Sequence, residues 1–327
     1  PTISNGVTTW DCIYFGNYYQ SNSSTKEPIK WRILSVNGND AFLLADQNLD
    51  AKPYNEEYTD VTWATCTLRT WLNDTFLNTA FTSAEQAAIK NTTVVNDDNP
   101  YYDTEGGVNT TDKVYLLSIA EACSNTDYGF NGAFRTKSET KEAKNTAYAK
   151  ECGAWTFTST EYTGYEGNGR WWLRSPGDDS LDASIVDYDG FDLLSGSIVS
   201  HDDYAVRPAL HLNLSSSSLW RYAGKVSSDG SVDLPTPSPT NTPTPVYSFR
   251  RGIDNNSFCH NNGNDSNWYC PYNAKYETDT KYLKDISSGF YEYLSLLNKS
   301  RSKWDGSCYG ISMGMTLNKG NKVNLDA

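Results

Sequence analysis

The sequence predicts an α+β module over residues 1–233, a Thr/Pro-rich linker over 234–246 and a second, partly helical module over 247–327. Three observations carry this prediction. Two strand-like runs near the start flank a tight-turn tetrapeptide. Short amphipathic stretches headed by capping residues fill the middle, and a series of short strand-like runs broken by glycine turns closes the module.

The runs 31–36 and 41–44 flank Asn37-Gly38-Asn39-Asp40, which predicts a hairpin. Leu68, Trp71, Leu72 and Phe76 recur at helical spacing and form the apolar face of a short helix. Thr82 with Glu85 makes a capping box for a helix through Ile89, and Ser118 with Glu121 repeats it for a helix through Ala122. The Lys/Glu/Ala-rich stretch 139–151 is expected to be a solvated helix. Strand-like runs then follow at 171–174, 183–188, 191–194, 197–200 and 204–214. Turns at Pro176-Gly177, Asp189-Gly190 and Ser195-Gly196 separate them and predict an antiparallel meander. Adjacent strand residues face opposite sides, so one of Trp171 and Trp172 is expected in the core and the other outward. Arg174 and Arg207 are each candidates for a structural ion pair with a nearby Asp or for ligand contact, the ion pair being favoured for Arg207, which lies in a closing strand before Pro208.

Between the modules, LPTPSPTNTPTPV places proline at nearly every second position, which favours an extended, semi-rigid spacer. The charge changes across it, from a net −15 up to residue 245 to +2 beyond, within a total of −13. An acidic chain of this kind is a poor default partner for nucleic acid or an anionic membrane surface. No run approaches the ~18 apolar residues of a membrane helix, so no membrane insertion is expected. The 38% hydrophobic content suffices for a core and excludes wholesale disorder. The chain opens at Pro1 without Met or a signal peptide and is expected to be a mature or trimmed form.

Seven cysteines with no CxxC pair, beside three histidines, argue against zinc. Cys259 and Cys270 lie in an Asn/Gly/Ser-rich loop that suits a disulfide in an oxidising compartment; the pairing of Cys12, Cys66, Cys123 and Cys152 is left open.

The blocks IKWRILSVNGNDAFLLAD, TCTLRTWLNDTF, DKVYLLS, RWWLRSPG and AVRPALHLNL, in this order over roughly residues 10–214, resemble a domain of unassigned function found in exported proteins of anaerobic Gram-positive bacteria. The closing pattern is also similar to C-type-lectin-like domains, among them the formylglycine-generating-enzyme branch and the variable ligand-binding proteins of retroelements. That resemblance implies a C-type-lectin-like α+β fold whose strands between Arg174 and Val206 present a ligand face. Formylglycine-type catalysis needs copper-binding cysteines near the closing strands, and residues 153–234 contain none.

On that face the solvent-side candidates are Asp178, Asp179, Asp187, Asp189, Asp192, His201, Asp202, Asp203 and Tyr204, with Trp172 and Phe191 as aromatic neighbours. Carboxylates accept from sugar hydroxyls while an aromatic face stacks on CH patches, which suits a glycan or a peptide ligand. The alternatives are Ca²⁺, which takes oxygen ligands, and a merely solvated set of turns. No cofactor beyond this Ca²⁺ alternative is expected, and no EF-hand loop is present.

In the second module Asp279 caps a helical stretch carrying Tyr282, Leu283, Ile286, Phe290, Tyr291 and Leu294. Gly306-Ser307 then deliver Cys308 to a helix start, where free amides and the dipole favour a thiolate. The segment resembles the nucleophile region of papain-like cysteine peptidases. Those enzymes take a base His and an orienting Asn from downstream, and no His follows Cys308 here. The module reads either as the opening part of such a domain, inactive alone, or as one in which Cys308 is a small core residue. The expected function is extracellular or cell-surface recognition of a glycan or peptide. Its rivals are a cysteine-peptidase fragment with the first module as targeting appendage, and a purely structural surface module.

Overall fold

The computed structural model describes residues 1–123, 126–159 and 162–233. The expected linker, the Cys259–Cys270 disulfide and Cys308 lie outside them.

Two antiparallel-rich sheets dominate. The eight-stranded sheet runs Val232–Asp233, Trp220–Ser227, Val7–Tyr19, Lys26–Asn37, Asp40–Ala45, Ala209–Asn213 and Val114–Tyr115, with Thr2–Ser4 added beside Val7–Tyr19. The five-stranded sheet runs Asp192–Ile198, Asp182–Val186, Trp171–Pro176, Ala205–Val206 and Asp50–Ala51. A small pair, Thr92–Val94 and Thr110–Asp112, stands apart. Helices are few and short, so the module is a sheet-rich α+β unit.

The hairpin forms where the turn residues demand it, with Asn37 opposite Asp40 and Val36 opposite Ala41. Both capping boxes form. Thr82 accepts from the Glu85 N–H at 3.3 Å while Glu85 accepts from the Thr82 N–H at 2.7 Å, and Ser118 and Glu121 repeat the exchange. The helices they open end at Ala88 and Ala122. Residues 67–80 form one helical stretch whose middle turn, Leu72–Phe76, is π-wound, and Leu68, Leu72 and Phe76 are buried as their spacing required. Cys66 opens this helix, its Sγ accepting from the Arg69 N–H at 3.4 Å.

Four expectations are corrected. Residues 139–151 are not one solvated helix; only Ala147–Glu151 is helical. Thr146 caps it by accepting from the Ala149 N–H at 3.0 Å, and upstream of it Asn145 and Lys141 are buried with long-range partners that a helix would break. Trp171 and Trp172 are both fully buried, because Trp171–Pro176 is the middle strand of its sheet and is covered on both faces. Ser195-Gly196 is not a turn. It lies inside strand Asp192–Ile198, at a bulge opposite Ala183–Ile185. Gly196 holds φ +79° there, and a Cβ would run into the Ala183 carbonyl. Finally, the meander ends after three strands. Past Pro208 the chain leaves for the larger sheet, so the expected run 204–214 is split between the two sheets.

The arginines are structural, with different partners from those expected. Arg174 pairs with Glu121 and donates to the Leu116 and Val95 carbonyls. Arg207, wholly buried over the Trp171 ring, donates to the carbonyls of Ala45, Lys141 and Asp46.

Candidate functional site

Residues 154–159 and 162–169 lie against one another beside the start of strand Trp171–Pro176. Phe157 N–H donates to the Asn168 carbonyl at 2.8 Å and Gly167 N–H returns to the Phe157 carbonyl at 3.1 Å. Trp155 N–H donates to the Asp203 carbonyl at 2.8 Å, which ties the segment to the loop before Ala205–Val206. Trp155 and Phe157 are two apart on extended chain and therefore share a face. Tyr188, from the turn between Asp182–Val186 and Asp192–Ile198, stacks on Phe157 with ring centres 4.6 Å apart. Trp155 and Tyr165 close around Tyr188 at 5.5 and 5.6 Å. Phe157 is buried beneath; Trp155, Tyr165 and Tyr188 are half-exposed.

Polar groups rim this cluster. The Arg170 guanidinium lies 4.2 Å from the centre of the Trp155 ring and donates to Asp187 at 2.9 Å. Asp187, Tyr204 and Asp203 all bear on the charge of Arg170. The buried Asn168 amide donates to Glu142 at 2.8 Å and to the Tyr188 carbonyl at 2.9 Å, which fixes the turn that carries Tyr188. Burial pushes the Glu142 carboxyl up to about 7, with Glu139 and Asp189 adding to the rise and Asn168 opposing it.

The residues expected on the ligand face do not form one face. Asp187 reaches the rim of the cluster, and Phe191, half-buried, closes the same turn by accepting from the Asp187 N–H at 2.8 Å. Asp189 is buried and paired with Lys137 at 2.6 Å, and Asp192 is wholly buried against Lys141. Neither is solvent-side, because the turn between them folds inward onto residues 135–141. Trp172 is buried between Tyr54 and Tyr204, its indole N–H donating to the Lys52 carbonyl at 2.9 Å, and Tyr204 is buried on it with ring centres 4.5 Å apart. His201 and Asp202 remain exposed, the His201 ring parallel to Tyr204 at 6.2 Å. Trp155, Tyr165, Tyr188, Arg170, Glu142 and Asn168 were not singled out from the sequence. The alternation in WTF and the tyrosines of EYTGYEG were the available signal.

Asp178, Asp179 and Asp182 gather carboxylate oxygens within 4.8 Å of one another. Burial and its two neighbours push Asp182 up to about 6, as mutual repulsion on a largely exposed acidic turn requires. Separately, a groove of about 520 Å³ is lined by Tyr14, Glu27, Lys30, Asp46, Asn145 and Arg221. Its charges are already engaged, Asp46 with Arg32 at 2.7 Å and Arg221 on the Tyr14 ring at 4.5 Å. The thiols of Cys12, Cys66, Cys123 and Cys152 are free. Burial holds Cys12, Cys66 and Cys123 up at about 12, leaving no thiolate at neutral pH.

The family model described as a domain of unknown function (DUF6273) matches residues 38–214, more than half of the chain. The chain belongs to this family. No curated protein and no solved structure matches it. The DUF6273 region holds every residue of the aromatic cluster and its rim. Strands Lys26–Asn37, Val7–Tyr19 and Trp220–Ser227 lie outside it yet complete its larger sheet.

Proposed function

We propose that the DUF6273 module is a recognition module, working outside the cell or on its surface, that binds a glycan chain on the Trp155–Tyr165–Tyr188 cluster. The observation that carries this reading is a set of three half-exposed rings held in fixed mutual orientation over a buried Phe157, with Arg170–Asp187 and Glu142–Asn168 at its edge. Aromatic faces accept the CH patches of sugar rings at little conformational cost, while carboxylates and amides beside them exchange hydrogen bonds with the hydroxyls. The same reading takes the fold to be C-type-lectin-like, with the ligand on the loop side of the smaller sheet. Turnover by this module is not part of it.

A glycan array and calorimetry on the hits test the reading. Trp155→Ala with Tyr188→Ala should abolish binding while leaving the melting temperature within a few degrees of the parent. Binding that survives both changes, or arrays without hits, would overturn it; hits confined to peptide arrays would replace glycan by peptide.

A further inference from the structure

Lys141 and Asp192 touch inside the module with both side chains wholly shielded from solvent. Two full charges so placed are costly, and their separation in sequence means that the fold was built to bring them together. Both partners are held. The Lys141 backbone is clamped by its N–H to the Ser138 carbonyl at 3.0 Å and by the Trp171 indole N–H to its own carbonyl at 3.2 Å. Its Nζ also donates to the Thr136 carbonyl at 3.1 Å. On the other side, Asp192 Oδ2 accepts from the Arg135 backbone N–H at 2.8 Å, and Arg135 reaches it from a left-handed conformation, φ +60°. Gly190 lets the turn before Asp192 close onto Ser138; with φ +73°, any Cβ there would strike the Ser138 carbonyl.

We infer that Lys141 Nζ and Asp192 Cγ are joined by an isopeptide bond that the folded module forms on itself. The inventory balances without a co-reactant, since an ammonium and a carboxylate give an amide and one water. A proton passes from Nζ to Asp192 Oδ1, leaving a neutral amine and a neutral acid, the forms that burial prefers. Burial pushes the Lys141 ammonium toward its neutral form. The amine lone pair forms the Nζ–Cγ bond as the C=O π pair moves onto Oδ2, where the Arg135 N–H holds the developing oxyanion. A second proton moves from nitrogen to Oδ1, the Cγ–Oδ1 bond breaks, and water leaves. The one hydrogen left on nitrogen keeps the Thr136 carbonyl as its partner. Condensation is unfavourable between free reactants in water. A fixed, dry pair gains the effective concentration of an intramolecular reaction and sheds two buried charges. The bond would staple strand Asp192–Ile198, an edge of its sheet, to the loop that precedes Ala147–Glu151.

Intact mass of the full chain under reducing conditions tests this. The expected mass is that of the sequence less one water, and tandem fragmentation of a digest should find the Lys141 peptide branched onto the Asp192 peptide. Lys141→Arg and Asp192→Ala should each recover the full sequence mass. Asp192→Asn should lose ammonia instead and converge on the mass of the cross-linked parent. A parent of full sequence mass would overturn the inference. So would a water loss that persists in Lys141→Arg or maps to a cyclised Asp189-Gly190 or Asp229-Gly230.

Discussion

Glu142 keeps its proton into the neutral range because burial penalises its charge more than the Asn168 amide relieves it. The folded module therefore holds this proton more tightly than the unfolded chain does. Stability from this group is complete below the ordinary carboxylate value of 4.5 and drains as pH rises through about 7. The whole shift is worth about 3 kcal/mol, and solvent screening of this part-exposed group lowers the expected loss to on the order of 2 kcal/mol. Melting curves of the parent and Glu142→Gln, compared between about pH 4 and pH 8, should converge on the acid side and separate on the alkaline side, the parent being the weaker. A pH-independent difference would sink the assignment. At this scale the sequence was only partly legible. Asp187 was legible as one of several solvent-side carboxylates, but little in the local sequence marks Trp155 or Tyr188, whose meeting depends on segments far apart in the chain, and Trp172 read as a ligand contact although its sheet is covered on both faces.

Among the elements, those governed by neighbours along the chain were readable in advance. The 37–40 turn and the two capping boxes need only residues within four positions of each other. Stretch 139–151 has a helical composition, but Lys141 answers to Asp192 and Asn145 to Asn48, and neither partner is visible to a local pattern. Asn99 shows the same long-range logic. Its buried amide donates to the Leu194 carbonyl at 2.7 Å and the Pro176 carbonyl at 2.9 Å, while its oxygen accepts from Tyr101 N–H at 2.9 Å. One side chain thus spans the end of strand Trp171–Pro176, the edge strand and the 99–104 loop. Asn99→Ala strands several buried backbone groups and should cost about 2–4 kcal/mol in urea unfolding. A change below about 0.5 kcal/mol would mean that water replaces the amide there.

For the whole molecule, the family boundaries and the folding boundaries differ. The larger sheet places Trp220–Ser227 against Val7–Tyr19, so the module needs both flanks of the matched region. A fragment of residues 1–233 should express as a folded unit with a cooperative melt. One cut to 38–214 should not, because the edge of Asp40–Ala45 would lose its pairing with Lys26–Asn37 and everything beyond it. Limited proteolysis of the full chain should accordingly cut within 234–246, and cleavage inside 1–233 instead would contradict this.

Thr9 lies opposite Ser227 and Phe15 opposite Trp220, so the chain enters the sheet and leaves it at the same end of one antiparallel ladder. If such a module is strung between an anchor and a load, tension arrives at adjacent corners and pulls across the ladder rather than along it. The pairs from Ser227 to Trp220 then part in sequence, like a zip, at low force. Lys141 and Asp192 meet at the edge of the other sheet, off that line, and are not stretched until this ladder has opened.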